Sequence, residues 1–220
     1  IGGHLLTPNS QGWPARLTER LGSNAPAALW ALGNGEVSDY NVSIVGARAA
    51  TNYGTAIATE LAQELTENGI QVVSGGAYGV DAAAHRGTFK AIGDHCPGTV
   101  AVLAGGLEIL YPAGNISMFE SIINHDGLLL SEVPPSFRPA RWRFLERNRI
   151  IAGLSNATIV VEAGVRSGAM ATATRAKEMN IPVGAVPGRS DSAISGGPNK
   201  LIKEGAVLIQ DVSDILEMIE

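Results

Sequence analysis

From Asn41 to Val186 the chain alternates short, near-continuous apolar runs with segments of helical periodicity, and this alternation limits the possible folds more than any single motif. The runs cover 41–46, 70–74, 99–104, 127–131, 157–162 and 181–186. Helical patterns follow over about 51–68, 80–92, 116–124, 146–153 and 168–179. A strand that is apolar on both sides is buried on both faces, the condition of a parallel strand in a sheet covered by helices. Parallel neighbours need crossover connections, which the helices supply in the right-handed sense. The expected fold is a doubly wound, mostly parallel α/β sheet. A short helix at Leu201-Ile202, a strand over 206–209 and a terminal helix close it. Residues 1–40 read differently. Trp13–Leu21 and Pro26–Leu32 predict two short helices split by Gly22-Ser-Asn, giving a short helical N-terminal segment (1–40) packed on the sheet domain (41–220).

A chain of 220 residues is long enough to bury a core without staples. Charged residues at 17% and a mean hydropathy of +0.13 exclude a disordered chain. The single Cys96 excludes an internal disulfide framework and a multi-cysteine zinc site. It fits a reducing, cytoplasmic setting. Residues 1–12 lack the basic and apolar regions of a signal peptide, and no apolar run approaches the roughly 20 residues of a membrane span. A start at Ile1 without Met is expected of a processed or trimmed chain. Of the 27 glycines, Gly46, Gly75, Gly76, Gly105 and Gly106 end or follow apolar runs, as expected of tight turns at strand ends. A net charge of −5 opposes whole-surface attraction to nucleic acid but permits a local basic patch.

Ligands of open α/β sheets bind at the carboxyl ends of the strands, so the residues after each run are the candidates. Gly46-Ala-Arg48 follows the first run. Ser74-Gly-Gly-Ala-Tyr-Gly79 follows the second and approximates a dinucleotide fingerprint, with Ser74 in place of its first glycine. The acidic residue expected ~20 positions later is missing, which disfavours NAD. Gly75 and Gly76 then serve either an anion or a plain tight turn. Arg166-Ser167-Gly168 opens a helix, with Ser167 as its cap and Arg166 free to grip a phosphate. The strongest local feature is Arg138–Arg149, which holds five arginines and one glutamate, +4 in twelve residues of an acidic chain. Arg141, Arg143, Arg147 and Arg149 interleave there with Trp142 and Phe144. Guanidinium groups beside flat rings suit single-stranded nucleic acid, although buried anchoring of the rings would explain them equally. The Pro-rich stretch 133–139 is a long loop of the kind that is functional or disordered. Asp81 and His85 share a helix face, more often a structural pair than a catalytic one. Glu132 and Glu162 follow strands with nothing to fix them as an acid/base pair. His4, His95 and His125 are scattered without metal-ligand spacing, so no metal is expected.

Taken together these residues resemble the DNA-processing protein A family (DprA, also called Smf). The resemblance rests on Val45-Gly-Ala-Arg48, Ser74–Asp81 with His85, Leu110-Tyr-Pro112 with Asn115, Arg147–Ser155, Arg166-Ser-Gly168 and Val186-Pro-Gly188. It covers about residues 13–210 and implies an extended Rossmann-like domain. That domain would bind single-stranded DNA, load the recombinase RecA during natural transformation, carry no catalysis and require no cofactor. It implies DNA contacts at Arg48, Arg141 and Phe144. It also implies a homodimer and a RecA contact through the same region, for which Leu201, Ile202, Ala206 and Leu208 of the closing segment are, by position, the candidate surface. This chain departs from the family pattern at Phe144-Leu145, where Phe-Pro is common, and at Tyr78, where arginine is common. A C-terminal winged-helix-like domain, carried by many members, is expected to be absent or removed. The alternatives are a nucleotide-binding or phosphoribohydrolase-like enzyme and a module that binds only a partner. The hydrolase signature Pro-Gly-Gly-x-Gly-Thr is replaced here by Glu162-Ala-Gly-Val-Arg-Ser-Gly.

Overall fold

The computed structural model describes residues 3–93 and 96–220; Ile1 and His95 fall outside them. One nine-stranded sheet organises the chain. Its strands are β1 (His4–Leu6), β2 (Leu29–Leu32), β3 (Asn41–Val45), β4 (Gln71–Ser74), β5 (Val100–Leu103), β6 (Leu128–Ser131), β7 (Ala157–Val160), β8 (Val183–Ala185) and β9 (Val207–Leu208). They lie in the order β1-β2-β6-β5-β4-β3-β7-β8-β9. Every pairing from β6 to β9 is parallel, while β1 and β2 pair antiparallel. The expected doubly wound, mostly parallel sheet is therefore present, with each apolar run as a strand.

Side chains alternate across the sheet, as period-2 geometry requires. Val45, Val73, Val100 and Val102 point to one layer. It is made of α1 (Ala15–Leu21), α5 (Arg141–Leu154), α6 (Gly168–Glu178) and α7 (Gly196–Lys203). Val42, Ile44 and Val72 point to the other. There lie α2 (Asn52–Glu67), α3 (Val80–Thr88) and α8 (Val212–Ile219), with α4 (Ile116–Asn124) over Ala101, Leu103 and Leu129.

Two expectations change. No helix spans 26–32; Leu29–Leu32 form strand β2, whose Leu29 and Ala31 are buried and whose ladder joins β6. A continuous apolar run of this length fits a buried strand as well as a helix, and periodicity cannot separate them. The N-terminal residues thus extend the same sheet. The helix expected over 146–153 begins at Arg141 and takes in Arg141, Arg143, Arg147 and Arg149 of the basic run.

Chain order runs outward from β3 through β4, β5 and β6 on one side and through β7, β8 and β9 on the other. The β3/β7 boundary is the topological switch point, where a crevice opens beyond the strand ends. The helix α5 beside it is held at its far end by α1. Arg16 donates to the Leu154 carbonyl at 3.1 Å, and Arg20 donates to Gly153 and Ser155 carbonyls at 3.0 and 2.7 Å. These cations satisfy the carbonyls at the negative end of the helix. Leu17 stands between them, fully buried. Leu17→Ala is expected to lower stability by about 2–5 kcal/mol, read as a reduced urea midpoint with an unchanged slope.

Candidate nucleic-acid interface

At the switch point lies a cleft of about 1060 Å³. Arg48 enters from the turn after β3, Arg141 and Phe144 from the first turn of α5, and Arg166, Ser167 and Gly168 from the start of α6. The Arg48 guanidinium sits 5.0 Å from the Phe144 ring centre. Tyr111 meets the same ring edge-on at 6.0 Å. Arg48, Arg141 and Arg166 are exposed, and a Cβ at Gly168 would meet nothing within 4 Å.

Helix N-termini attract anions, and here the chain's own carboxylates occupy two of them. Glu162, buried at the end of β7, accepts bonds from the Thr51 amide (2.9 Å) and hydroxyl (2.6 Å) at the start of α2. Asp81 accepts from the Ala77 amide at 3.3 Å, in the turn before α3. The helices facing the cleft are different. α6 is capped by Ser167, and neither α5 nor α6 carries an acid in its first turn. α5 has no side-chain cap and begins with Arg141 and Arg143, cations placed at the positive end of a helix dipole. A helix that begins this way gains from an anion bound over it.

The structure does not gather the whole basic run in the cleft. At 100° per residue, Arg141, Phe144 and Asn148 face it. Trp142, Arg143 and Arg149 turn to a separate depression on the other side of α5. Arg149 holds the Glu132 carboxylate bidentately at 2.6 and 3.0 Å and also donates to the Asn24 carbonyl. Arg147 is buried and donates to the carbonyls of Gly75 (2.7 Å) and Val102. Burial pushes its pKa down to about 10, against the opposing pull of Asp81. It therefore stays charged near neutrality and clamps the sheet rim from inside, unavailable to a phosphate.

Gly75 and Gly76 are buried too. A Cβ on Gly75 would lie 2.3 Å from the Arg147 guanidinium, and one on Gly76 would lie 2.6 Å from Phe119. Their lack of side chains serves packing. At the other edge, Leu201 belongs to the core, and Ile202 and Ala206 pack against it. Leu208 is 41% exposed on edge strand β9, as is Val207. Tyr111 was not among the expected site residues, although it stands in the Leu110-Tyr-Pro112 motif.

Residues 4–220 match the family profile described as DNA recombination-mediator protein A. The chain belongs to this family. A DprA relative from Mycobacterium tuberculosis is 45% identical over 230 residues, covering 99% of this chain and 58% of that protein. The DNA processing protein DprA of Bacillus subtilis is 40% identical, covering 87% of this chain and 64% of that protein. The chain thus spans about three-fifths of these relatives. The X-ray structure of DprA from Streptococcus pneumoniae superposes with a TM-score of 0.90 at 35% identity, over 100% of this chain and 75% of that one. DNA processing protein A from Helicobacter pylori, described for its single-stranded DNA binding mode, gives a TM-score of 0.85 at 28% identity, over 100% of this chain and 96% of that one.

In this DprA-family chain the Asp81–His85 pair does not face the cleft as a dyad. Asp81 borders the cleft floor, whereas His85 is fully buried. Its Nδ1 lies 2.9 Å from the Thr99 hydroxyl, which donates its own hydrogen to the Val72 carbonyl. Nδ1 therefore carries the imidazole proton, and the buried Nε2 has no partner. Burial, reinforced by Arg147 and Arg86, pushes His85 down to about 3. Burial raises Asp81, against the pull of Arg147. Among the described residues no group of three potential ligands could hold a metal ion.

A depressed His85 means that the unfolded chain takes up this proton first, so stability falls as pH drops from about 6.5 toward 3. His85→Asn keeps a donor near Thr99 and removes the titration. Between pH 7 and pH 5 the wild type is expected to lose about 2 kcal/mol more than the variant, measured by urea unfolding. Asp81 contributes the opposite slope to both proteins, so their difference reports His85.

Proposed function

We propose that the cleft binds single-stranded DNA and that the protein delivers it to the recombinase RecA in the cytoplasm during DNA uptake or processing. The observation that carries this reading is the composition of the cleft. Three exposed guanidiniums, a Phe144 ring and two helix N-termini without first-turn acids converge on a protein whose net charge is −5. Guanidiniums and amide dipoles suit phosphates, and a ring face suits an unpaired base. A duplex hides its base faces, so single strands are favoured over double strands. The family description as a recombination mediator supports the RecA half of the proposal. The Helicobacter pylori relative supports the ligand.

A nucleotide-hydrolysing enzyme is less well supported. Its phosphate would compete with Glu162 at α2 and with Asp81 before α3, and buried His85 cannot reach a substrate. For assembly, we take the exposed Val207-Leu208 edge of β9 as the face for a second copy. An unpaired strand edge bearing apolar side chains is a pairing surface.

Arg48→Ala combined with Arg141→Ala is expected to weaken binding to oligo-dT at least tenfold. The double variant should also flatten the dependence of log K on log salt by about 1.4, since each lost phosphate contact removes about 0.7. Fluorescence anisotropy at several salt concentrations measures both. Binding equal to that of the wild type would remove the cleft from consideration. RecA loading is tested separately, by whether the protein speeds the onset of RecA's DNA-dependent ATPase on oligo-dT coated with single-strand-binding protein. An unchanged onset counts against it.

A further inference from the structure

We infer that a bound strand leaves the cleft over the N-terminus of α5 and that Trp142, on the far side of that helix, is a second base-stacking station. The inference rests on the cleft being a single-stranded DNA site, and it concerns where the strand goes next.

Trp142 is 60% exposed, whereas Trp13 and Trp30 are partly buried and pack against the core. A single exposed ring is ordinary, but this one is part of a built platform. The Arg143 guanidinium lies 5.1 Å from the Trp142 ring centre and 5.3 Å from the Phe137 ring centre. Its Nη1 donates to the Arg138 carbonyl at 2.7 Å, tying the stack to the 133–139 loop. Three planar groups are thus ordered before any ligand arrives, which lowers the entropy cost of stacking a base on them.

The platform borders a depression of about 320 Å³ that includes Leu103, Glu132, Glu146 and Arg149. The Glu132 charge is neutralised by Arg149. Glu146 is then the one unpaired carboxylate among its lining residues, against Arg143 and nearby Arg138. The local field therefore suits a polyanion.

Continuity with the cleft decides the occupant. Arg141 lines the cleft and Trp142, the next residue, borders the depression. Between them runs the first turn of α5, uncapped and electropositive. A strand seated on Phe144 and Arg141 reaches Trp142 by crossing this turn, across the ~10–12 Å width of a helix with its side chains. That crossing takes a few nucleotides more than the cleft alone accommodates.

The test uses the whole chain with oligo-dT of about five and about fifteen residues, within the range of known single-strand site sizes. Anisotropy reports affinity and tryptophan emission reports the platform, with Trp142→Phe as the emission blank. The long oligonucleotide is expected to quench emission in the wild type and not in the blank. The short one is expected to bind with emission unchanged. Trp142→Ala should weaken binding of the long oligonucleotide about 5- to 150-fold, the equivalent of one lost stack, and leave the short one unaffected. Trp142→Phe, which keeps a ring, should restore most of the affinity. If the long oligonucleotide binds without quenching and Trp142→Ala binds it as wild type does, the second station is refuted and the cleft stands. If neither length binds, both fall. If quenching follows protein concentration instead of DNA, the platform is a contact between copies, and the inference is overturned.

Discussion

The buried guanidinium of Arg147 decides where α5 lies, and through α5 it shapes the cleft. It donates to the carbonyls of Gly75, just past β4, and of Val102 in β5, with Asp81 the counter-charge nearby. These carbonyls sit at the ends of central strands, where the ladder gives way to turns. A buried cation is costly unless paired and hydrogen-bonded, so the contact holds only where helix and strand ends meet closely. Gly75 permits that approach. The opposite end of α5 is held by Arg16 and Arg20 of α1, and Gly153 lets Leu17 of α1 come near. Fixed at its middle and its C-terminus, the helix presents to the cleft an N-terminus with neither a side-chain cap nor a first-turn acid.

That uncapped end explains what could and could not be read from residues alone. The parallel strands were legible because burial on both faces leaves no polar alternation, and runs such as 157–162 have few other solutions. The start of α5 was hidden. Helices advertise their first turn with a cap and with acids, and Arg141-Trp-Arg-Phe offers neither, so the pattern pointed to Glu146 instead. Roles within the basic run were hidden for a related reason. Five arginines look alike until the helix phase is known. That phase sends Arg141 to the cleft, Arg147 to the interior and Arg149 to Glu132. Leu201 was misplaced because a short amphipathic helix at a sheet edge can turn its apolar face inward or outward, and here the core takes it.

The same logic separates the glycines. Arg166-Ser-Gly168 and Ser74-Gly-Gly76 look equally suited to phosphate on a page of sequence. In three dimensions the second is packed against Arg147 and Phe119, while the first stands open. A glycine marks close approach, but only the neighbours say whether protein or ligand makes it.

For an acidic protein to hold a polyanion, as proposed for this cleft, the carboxylates near the binding place must have their charge offset. Glu162 and Asp81 show how this chain does so. Each is turned onto backbone amides beside a helix start, where it satisfies donors and has its charge offset. Glu132 is bound to Arg149 in the same spirit. Glu204, which also lines the cleft, lies 3.7 Å from both Lys177 and Lys200, so the arginines exposed there meet little opposing charge at short range. At physiological salt the Debye length is about 8 Å, so the acids on the far side of the molecule contribute little at the cleft. The proposed selectivity for unpaired strands would follow from the same restraint. The field attracts any phosphate chain, and what distinguishes a single strand is a free base face to meet Phe144.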